Sequence, residues 1–379
     1  MFGKKVDKRK RNIIIRIIFR IILIIAALML LLSYSAVYVN PLKQIIPLFF
    51  GLYYIPILFL NIFLLIIAII GRSKSAWIPI VILLPSLLYA ERFINLFSSN
   101  EFEEGKPTIT LLSYNVASFK QIDIVKGEKS NKKKRETIAT IIDSIKAIDP
   151  DIICLQEFVV RVNVNIDSIF NGFKYIAKNI TTTKKLHKGN IIISKYPIVK
   201  KANLKFKQST NRSMYADIKV GNDTIRIFNN HLESYSISFK TLATRLKNKD
   251  TTSELAKEEI YNVHKKIGKT VQRRTRQVEN LIGIINESPY PTIICGDFNE
   301  TPMSFAYSEF SKGHKDSFME GGKGFGATFR ILYPLIRIDY IFVPKEYNIL
   351  SHNTLKWKIS DHYPILSNMQ YSSQFHEKK

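Results

Sequence analysis

After residue 107 the chain repeatedly drives a short apolar run into a polar stop. The run at 109–114 ends at Asn115, the run at 152–155 at Gln156-Glu157, the run at 224–229 at Asn230-His231, and the run at 292–295 at Gly296-Asp297-Phe298-Asn299. Short apolar runs bounded by turn signals read as strands buried on both faces. A polar group at the tip of each is how a buried sheet carries chemistry to a rim. This pattern restricts the fold more than any other feature, because the strands must converge for their tips to act together.

Between these runs lie helical stretches. From Lys132 the residues Ile138, Ile141, Ile142, Ile145 and Ile148 share one helix face, and Asp149-Pro150 ends it. A second, Lys- and Arg-rich stretch covers 251–285, with its apolar face clearest at Val278, Leu281, Ile282 and Ile285. Further strands are expected at 175–177, 191–194, 215–220, 338–343 and 363–367. The order strand, helix, strand with polar tips occurs once around Asn115 and Glu157 and again around His231 and Asp297. Two such halves predict an α/β fold with two sheets face to face and helices outside, a four-layer sandwich. Sites in such folds collect where strand ends meet.

The first hundred residues have a different character. A basic head, MFGKKVDKRKRN, precedes an apolar segment interrupted only by Arg16 and Arg20, and its stretch at 21–38 is long enough to cross a bilayer. A secretory signal peptide fits less well, because the segment is too long and no small-x-small site precedes Asn40-Pro41. A second apolar segment spans 45–70; its Pro47, Gly51, Pro56 and Asn61 suit a membrane helix better than a soluble one. The third, at 76–90, is about 15 residues with Pro79 and Pro85, either a short crossing or a helix on the membrane surface. We therefore expect a membrane anchor over 1–98 with two or three transmembrane helices (about 13–39, 45–70 and 76–92), a linker at 99–107, and a catalytic domain over 108–372. Lysine and arginine counts place the head and the loop at 71–76 in the cytoplasm. Three spans would put the large domain outside, the reading favoured by the acidic linker Glu101-Phe102-Glu103-Glu104; two would keep it inside.

The formal charge is +25, and the residues beyond Lys106 carry 43 basic against 26 acidic side chains, so the excess belongs mainly to the large domain. That favours polyanionic partners without choosing among nucleic acid, anionic headgroups and phosphorylated polymers. Cys154 and Cys295 sit inside apolar runs and are expected as buried free thiols.

The polar stations, in order, are Asn115, Glu157, His231, Asp297, Asn299, Asp339, Asp361 and His362. They are oxygen donors and imidazoles without a cysteine, a set suited to Mg²⁺ or Mn²⁺ rather than zinc. Each has a plainer reading: Glu157 as a solvated strand end, His231 as a core histidine, Asp339 paired with Arg337 or a backbone amide, Asp361-His362 as a cap. Order and spacing weigh against all of these at once.

Ser113-Tyr114-Asn115-Val116, Leu155-Gln156-Glu157, Gly189-Asn190, Asn230-His231-Leu232, Gly296-Asp297-Phe298-Asn299, Arg337-Ile338-Asp339-Tyr340 and Ser360-Asp361-His362 together resemble the ordered signature of the endonuclease/exonuclease/phosphatase superfamily, which is similar to DNase I in fold. The resemblance covers 108 to about 370 and implies an Mg²⁺-dependent phosphoester hydrolase; it says nothing about the apolar segments, which make the expected protein a membrane-anchored, bacterial member. It implies that Glu157 is the principal metal ligand, completed by Asn115 and Asp361. Asp297 and Asn299 would orient and deprotonate water, Asp339 would hold His362 against the phosphate, and His231 would stand across from it. No Pro-x-Trp-Cys-Asp-Arg segment precedes Asp339, where the chain reads Ala327-Thr328-Phe329-Arg330-Ile331-Leu332-Tyr333, which lowers an inositide reading. Arg273, Arg274 and Arg276 are either a phosphate-backbone surface or a solvated helix face. The partners expected are the bilayer and a nucleic-acid or phospholipid phosphoester, with no protein partner; the location expected is the bacterial cytoplasmic membrane, with the catalytic domain outside the cytoplasm. A catalytically silent scaffold of the same fold is the alternative. A channel is disfavoured because the spans carry few polar groups beyond Asn61.

Overall fold

The computed structural model describes residues 2–96, 102, 104–119, 131–207, 209–235 and 253–371, so Glu101 and Glu103 of the acidic linker, the start of the basic stretch at 251–252 and the end of the expected domain at 372 lie outside the described residues. The chain divides into two compact units, Met1–Glu91 with Thr301–Ser308, and Arg92–Glu300 with Glu309–Lys379.

In the first unit, α1 (Phe2–Ser35), α2 (Ile46–Leu52), α3 (Tyr54–Ile70) and α4 (Trp77–Leu83) pack around Leu23, Ala26, Leu64 and Ile78. The polarity is turned inward: Asn61 is buried and donates to the Ala26 and Ile57 carbonyls at 3.0 and 2.9 Å, while Ile62, Phe63 and Ile66 face out. That arrangement keeps the amide N–H groups bonded inside the bundle, as an apolar solvent demands. Two stretches, Asn12–Ser35 and Lys74–Arg92, are long and apolar enough to cross a membrane, and α2 with α3 would make a third crossing bent by 71°. The bend follows from Pro56, which has no N–H to return to the Leu52 carbonyl. In the third segment Pro85 falls where α4 gives way to a 3-10 turn, and such turns at Lys74–Ala76 and Leu84–Arg92 flank α4. Since 3-10 turns rise about 2.0 Å per residue against 1.5 Å for α, this segment has a nominal reach of about 34 Å, enough for the ~30 Å hydrocarbon core.

The second unit carries two six-stranded sheets. We number its strands β1 (Ile94–Asn95), β2 (Thr108–Asn115), β3 (Ile152–Arg161), β4 (Tyr175–Thr182), β5 (Leu186–Ser194), β6 (Ile198–Lys205), β7 (Arg212–Val220), β8 (Asp223–His231), β9 (Thr292–Asp297), β10 (His314–Asp316), β11 (Gly324–Phe325), β12 (Asp339–Pro344), β13 (Asn348–Thr354) and β14 (Ile365–Gln370). The first sheet has the order β13-β14-β2-β3-β5-β4 and the second β10-β12-β9-β8-β7-β6, while β1 pairs with β11 alone. In each half one parallel pair, β2 with β3 and β8 with β9, sits among antiparallel neighbours. Crossover helices account for both: α5 (Asn131–Ile148) joins β2 to β3, and after a short α6 (Ile166–Ile169) the long α7 (Ser253–Asn286) precedes β9.

Side-chain alternation divides the core as a sandwich requires. Ile109, Leu111, Ile152 and Cys154 of the first sheet cluster with Ile225, Ile227, Ile293 and Cys295 of the second. The opposite face of the first sheet, Leu112, Tyr114, Ile153 and Leu155, packs on Ile141, Ile142 and Ile145 of α5. Both cysteines are free and buried. Near the site the layer between the sheets turns polar. Gln156 Nε2 donates to Asn229 Oδ1 at 2.8 Å, and Asn229 Nδ2 returns to the Leu155 and Ile191 carbonyls at 3.1 and 2.8 Å, so the second sheet is hydrogen-bonded to the first.

Candidate active site

The polar tips meet where the two sheets end together. Asn115 closes β2 and is buried. Its Nδ2 donates to Asp297 Oδ2 at 2.9 Å and reaches Glu157 Oε1 at 3.4 Å, and its Oδ1 accepts from the Ala117 amide at 2.9 Å. Residues 182 apart in sequence are thus bonded directly. Glu157 stands at an irregularity in the β3–β5 register, with φ +50°. Such a bulge re-aims a side chain, and this carboxylate stays about a third exposed, the accessible acid of the group.

From the second sheet, His231 is registered directly opposite Asp297. Its Nε2 lies 3.5 Å from Glu157 and 3.7 Å from Asp297, and Asn211 Nδ2 donates to it at 3.0 Å. Asp297 is in turn registered to Asp339 across β12. Gly296 makes the approach possible: its φ is +131°, and a Cβ there would stand 2.0 Å from the Asn230 carbonyl oxygen. Asn299, at φ +54°, donates its backbone N–H to Asp297 Oδ1 at 2.9 Å and its amide to the Leu232 carbonyl at 3.1 Å.

His362 Nδ1 donates to Asp339 at 2.9 Å, and its Nε2 points to Asp297 Oδ2 at 3.8 Å. The Arg337 pairing considered for Asp339 does not occur; Arg337 is buried against Asp316 instead, and Asp339 serves the imidazole. Ser360 Oγ donates to the Asn115 carbonyl at 2.8 Å and lies 3.3 Å from Asp361 Oδ1, which ties Asp361 to the end of β2.

The environments differ in a useful way. Burial drives the Asp297 carboxyl up; His362, His231 and the Asn115 amide oppose this and Asp339 adds to it, leaving the group above the usual carboxylate range. For Glu157 burial acts in the same sense, but His231, His362 and Asn115 outweigh it and hold the carboxyl low. His362 would be pushed down by burial, yet Asp339 and Asp297 raise it well above an ordinary imidazole. One carboxylate with raised proton affinity, one firmly ionised and one imidazolium are the ingredients of acid and base work.

The donors also suit a cation. The Glu157 and Asp361 carboxylates offer oxygen only, the preference of a hard divalent ion, whereas Asn115 turns its Nδ2 toward Glu157 and Asp297 and gives its Oδ1 to the Ala117 amide. Asp297, Asp339 and His362 bring one ligand atom each to within 4.8 Å of one another. In that second group His362 Nδ1 and Asp339 are committed to each other, so the fit to a cation rests on the carboxylate oxygens of Glu157 and Asp361.

One residue of the site escaped the sequence reading and another was misread. Asn211 lies in a loop with no apolar run to mark it. Arg274 is neither a phosphate surface nor a solvated face: it is fully buried and ion-paired with Glu300, beside Asn299. Arg273 pairs with Glu233 at 2.9 Å, and Arg276 alone of the three is exposed.

A model of the endonuclease/exonuclease/phosphatase family matches residues 112–362, and one of a domain of unknown function matches 16–93. No curated protein matches the chain. Among solved structures, an endonuclease/exonuclease/phosphatase from Beutenbergia cavernae is similar with a TM-score of 0.51 at 13% identity, covering 70% of this chain and 72% of its own. A family protein from Bacteroides thetaiotaomicron gives 0.50 at 18%, covering 70% and 99%. At these identities the likeness is one of fold. The family is one of hydrolases, typically dependent on a divalent metal, and a match that runs from the last residues of β2 to His362 takes in every polar station: the chain belongs to the endonuclease/exonuclease/phosphatase family.

Proposed function

We propose that the protein is a membrane-anchored, Mg²⁺-dependent phosphodiesterase in which Asp297 activates water against a phosphoester. The observation that carries this reading is the buried Asp297 carboxylate, held by Asn115 at 2.9 Å and facing the His231 and His362 imidazoles at 3.7 and 3.8 Å. A phosphodiester is anionic and repels a nucleophile, so neutralising charge must meet a positioned base. Glu157 and Asp361 would hold Mg²⁺ or Mn²⁺, which would supply charge neutralisation at the phosphate oxygens.

The protein's own groups supply the rest. Asp297, with its raised proton affinity, takes a proton from water while Asn299 orients that water. As the water oxygen bonds to phosphorus, one P–O ester bond breaks and the leaving oxygen ends protonated. His362, kept cationic by Asp339, binds a phosphate oxygen, and His231 binds from the other side. The two or three spans anchor the site to a bacterial cytoplasmic membrane, and the three-span count puts it outside the cytoplasm.

The test uses the full chain in detergent with bis(p-nitrophenyl) phosphate. Mg²⁺-dependent turnover is expected, abolished by EDTA and lowered about 10²–10⁴-fold in Asp297→Asn. An Asp297→Asn protein with full metal-dependent activity ends the assignment.

A further inference from the structure

Four of the most exposed large apolar side chains of the second unit fall within eleven residues: Phe325 at 48%, Ile331 at 45%, Tyr333 at 42% and Leu335 at 49% exposed. This segment is stitched to the candidate active site. Phe329 forms a backbone bridge with His362 and sets its ring 5.5 Å from the imidazole, the Arg330 amide donates to the Asp361 carbonyl at 2.8 Å, and the Tyr363 amide donates to the Thr328 carbonyl at 2.8 Å. Tyr333 packs edge-on against Tyr363 at 5.9 Å, with Lys356 Nζ 4.1 Å above its ring. The rim of the site therefore includes an apolar lip.

What the lip meets is indicated by the chain itself. Phe325 is registered to Ile94, the Gly326 amide donates to the Phe93 carbonyl at 3.0 Å, and Arg337 reaches the Arg92 carbonyl at 3.1 Å. Arg92 is the last residue of the third candidate span. Two residues of extended chain plus one antiparallel pairing hold Phe325 within about 13 Å of Arg92. The next residue after β1, Leu96, is 62% exposed and adds to the same apolar margin. Charge points the same way: no acidic residue occurs between Gly321 and Ile338, while Lys323, Lys356 and Lys358 are exposed. Aliphatic and aromatic side chains with interspersed cations are the composition that enters the headgroup and acyl boundary of an anionic bilayer.

We infer that residues 325–335 insert into the bilayer interface, and that the substrate is the phosphoester of a lipid in that same membrane. This rests on the hydrolase reading above and sharpens it. Water attacks the lipid phosphorus, one ester bond breaks, and a phosphomonoester and an alcohol result.

The test is made on the full chain reconstituted with Mg²⁺ into phosphatidylcholine vesicles containing phosphatidylglycerol. In a Trp77→Phe, Trp357→Phe background, Leu335→Trp is expected to lose at least half its fluorescence to brominated acyl chains. Val199→Trp, on the edge strand β6, keeps its own. Phe325→Ser with Leu335→Ser is expected to cut hydrolysis of vesicle phospholipid at least tenfold and to change turnover of bis(p-nitrophenyl) phosphate less than twofold. Equal losses on both substrates, an unquenched tryptophan at 335, or plasmid DNA cut while vesicles stay intact would each overturn the inference. Soluble diester turnover without lipid hydrolysis overturns it and leaves the hydrolase reading standing. No turnover of any of these by the folded chain removes both.

Discussion

Arg274→Met isolates the contribution of a charge placed in the interior of the catalytic unit. The Arg274 side chain is inaccessible, its Nε donates to the Glu233 carbonyl at 2.7 Å, its guanidinium pairs with Glu300, and the Tyr235 ring centre lies 4.5 Å from Cζ. Burial pushes the Glu300 carboxyl up, and Arg274 counters this in part. Methionine fills much of the volume and leaves Glu300 without its partner. Breaking a buried pair from one side costs about 3–5 kcal/mol, because the remaining charge is stranded. At roughly 2–4 °C per kcal/mol for a domain of this size, the apparent melting midpoint should fall by about 10 °C. Replacing both, Arg274→Met with Glu300→Leu, removes the stranded charge and should return the protein to within about 1 kcal/mol of wild type. The assay is thermal unfolding of the detergent-solubilised chain followed by circular dichroism, with diester turnover measured alongside, since Glu300 directly follows Asn299. A single variant that melts within 2 °C of wild type, or a double variant as unstable as the sum of the singles, would refute the reasoning.

Gly296→Ala should destabilise by at least about 4 kcal/mol, because a Cβ would stand 2.0 Å from the Asn230 carbonyl oxygen at a φ of +131°; a melting midpoint within 2 °C of wild type would contradict this. His352 is buried beside Ser317, Arg337 and Asp316, and burial, then Arg337, pushes its pKa down to about 3, against the slight opposing pull of Asp316. Its folded pKa lies below the unfolded value, so the unfolded chain binds the extra proton. Stability is therefore full above pH ~6.5 and falls by up to ~1.4 kcal/mol per unit as pH drops toward 3; His352→Gln should flatten that slope in melts between pH 7 and 5. Asp339→Asn takes the carboxylate from His362 Nδ1 and should lower kcat about 10²–10⁴-fold with KM little changed; steady-state kinetics with an unaltered kcat would show that the pairing has no part in the reaction.

The site was largely legible because buried sheets announce their tips. Asn115, Glu157, His231 and Asp297 each follow an apolar run, and strand convergence alone brings them together. Edge strands were less visible: β6, reading IVKKANLK, and β13, reading NILSHNT, have one wet face or polar ends and lack the run that marks a central strand. Arg274 was misread for another reason. It sits in the stripe Ile267, Val271, Arg274, Val278, Leu281, Ile285, all buried along α7 at alternating spacings of four and three. The periodicity places it inside, whereas its charge suggested the outside. Within the first unit the prolines were legible, but how far the segment at 74–92 reaches depended on its 3-10 turns.

The neighbours of β2 carry a consequence for biosynthesis. One is β3, which follows β2 closely in the chain, and the other is β14, made long after it. Asn115 and Glu157 leave the ribosome well ahead of Asp339, Asp361 and His362. At about 5–20 residues per second, roughly 10–50 s pass between the first of these groups and the last. During that interval the apolar segments have already been offered to the membrane while the hydrolytic centre is chemically incomplete. The order of strands along the chain works as a timer, and a polypeptide stalled before β12 lacks Asp339, Asp361 and His362 and is inert.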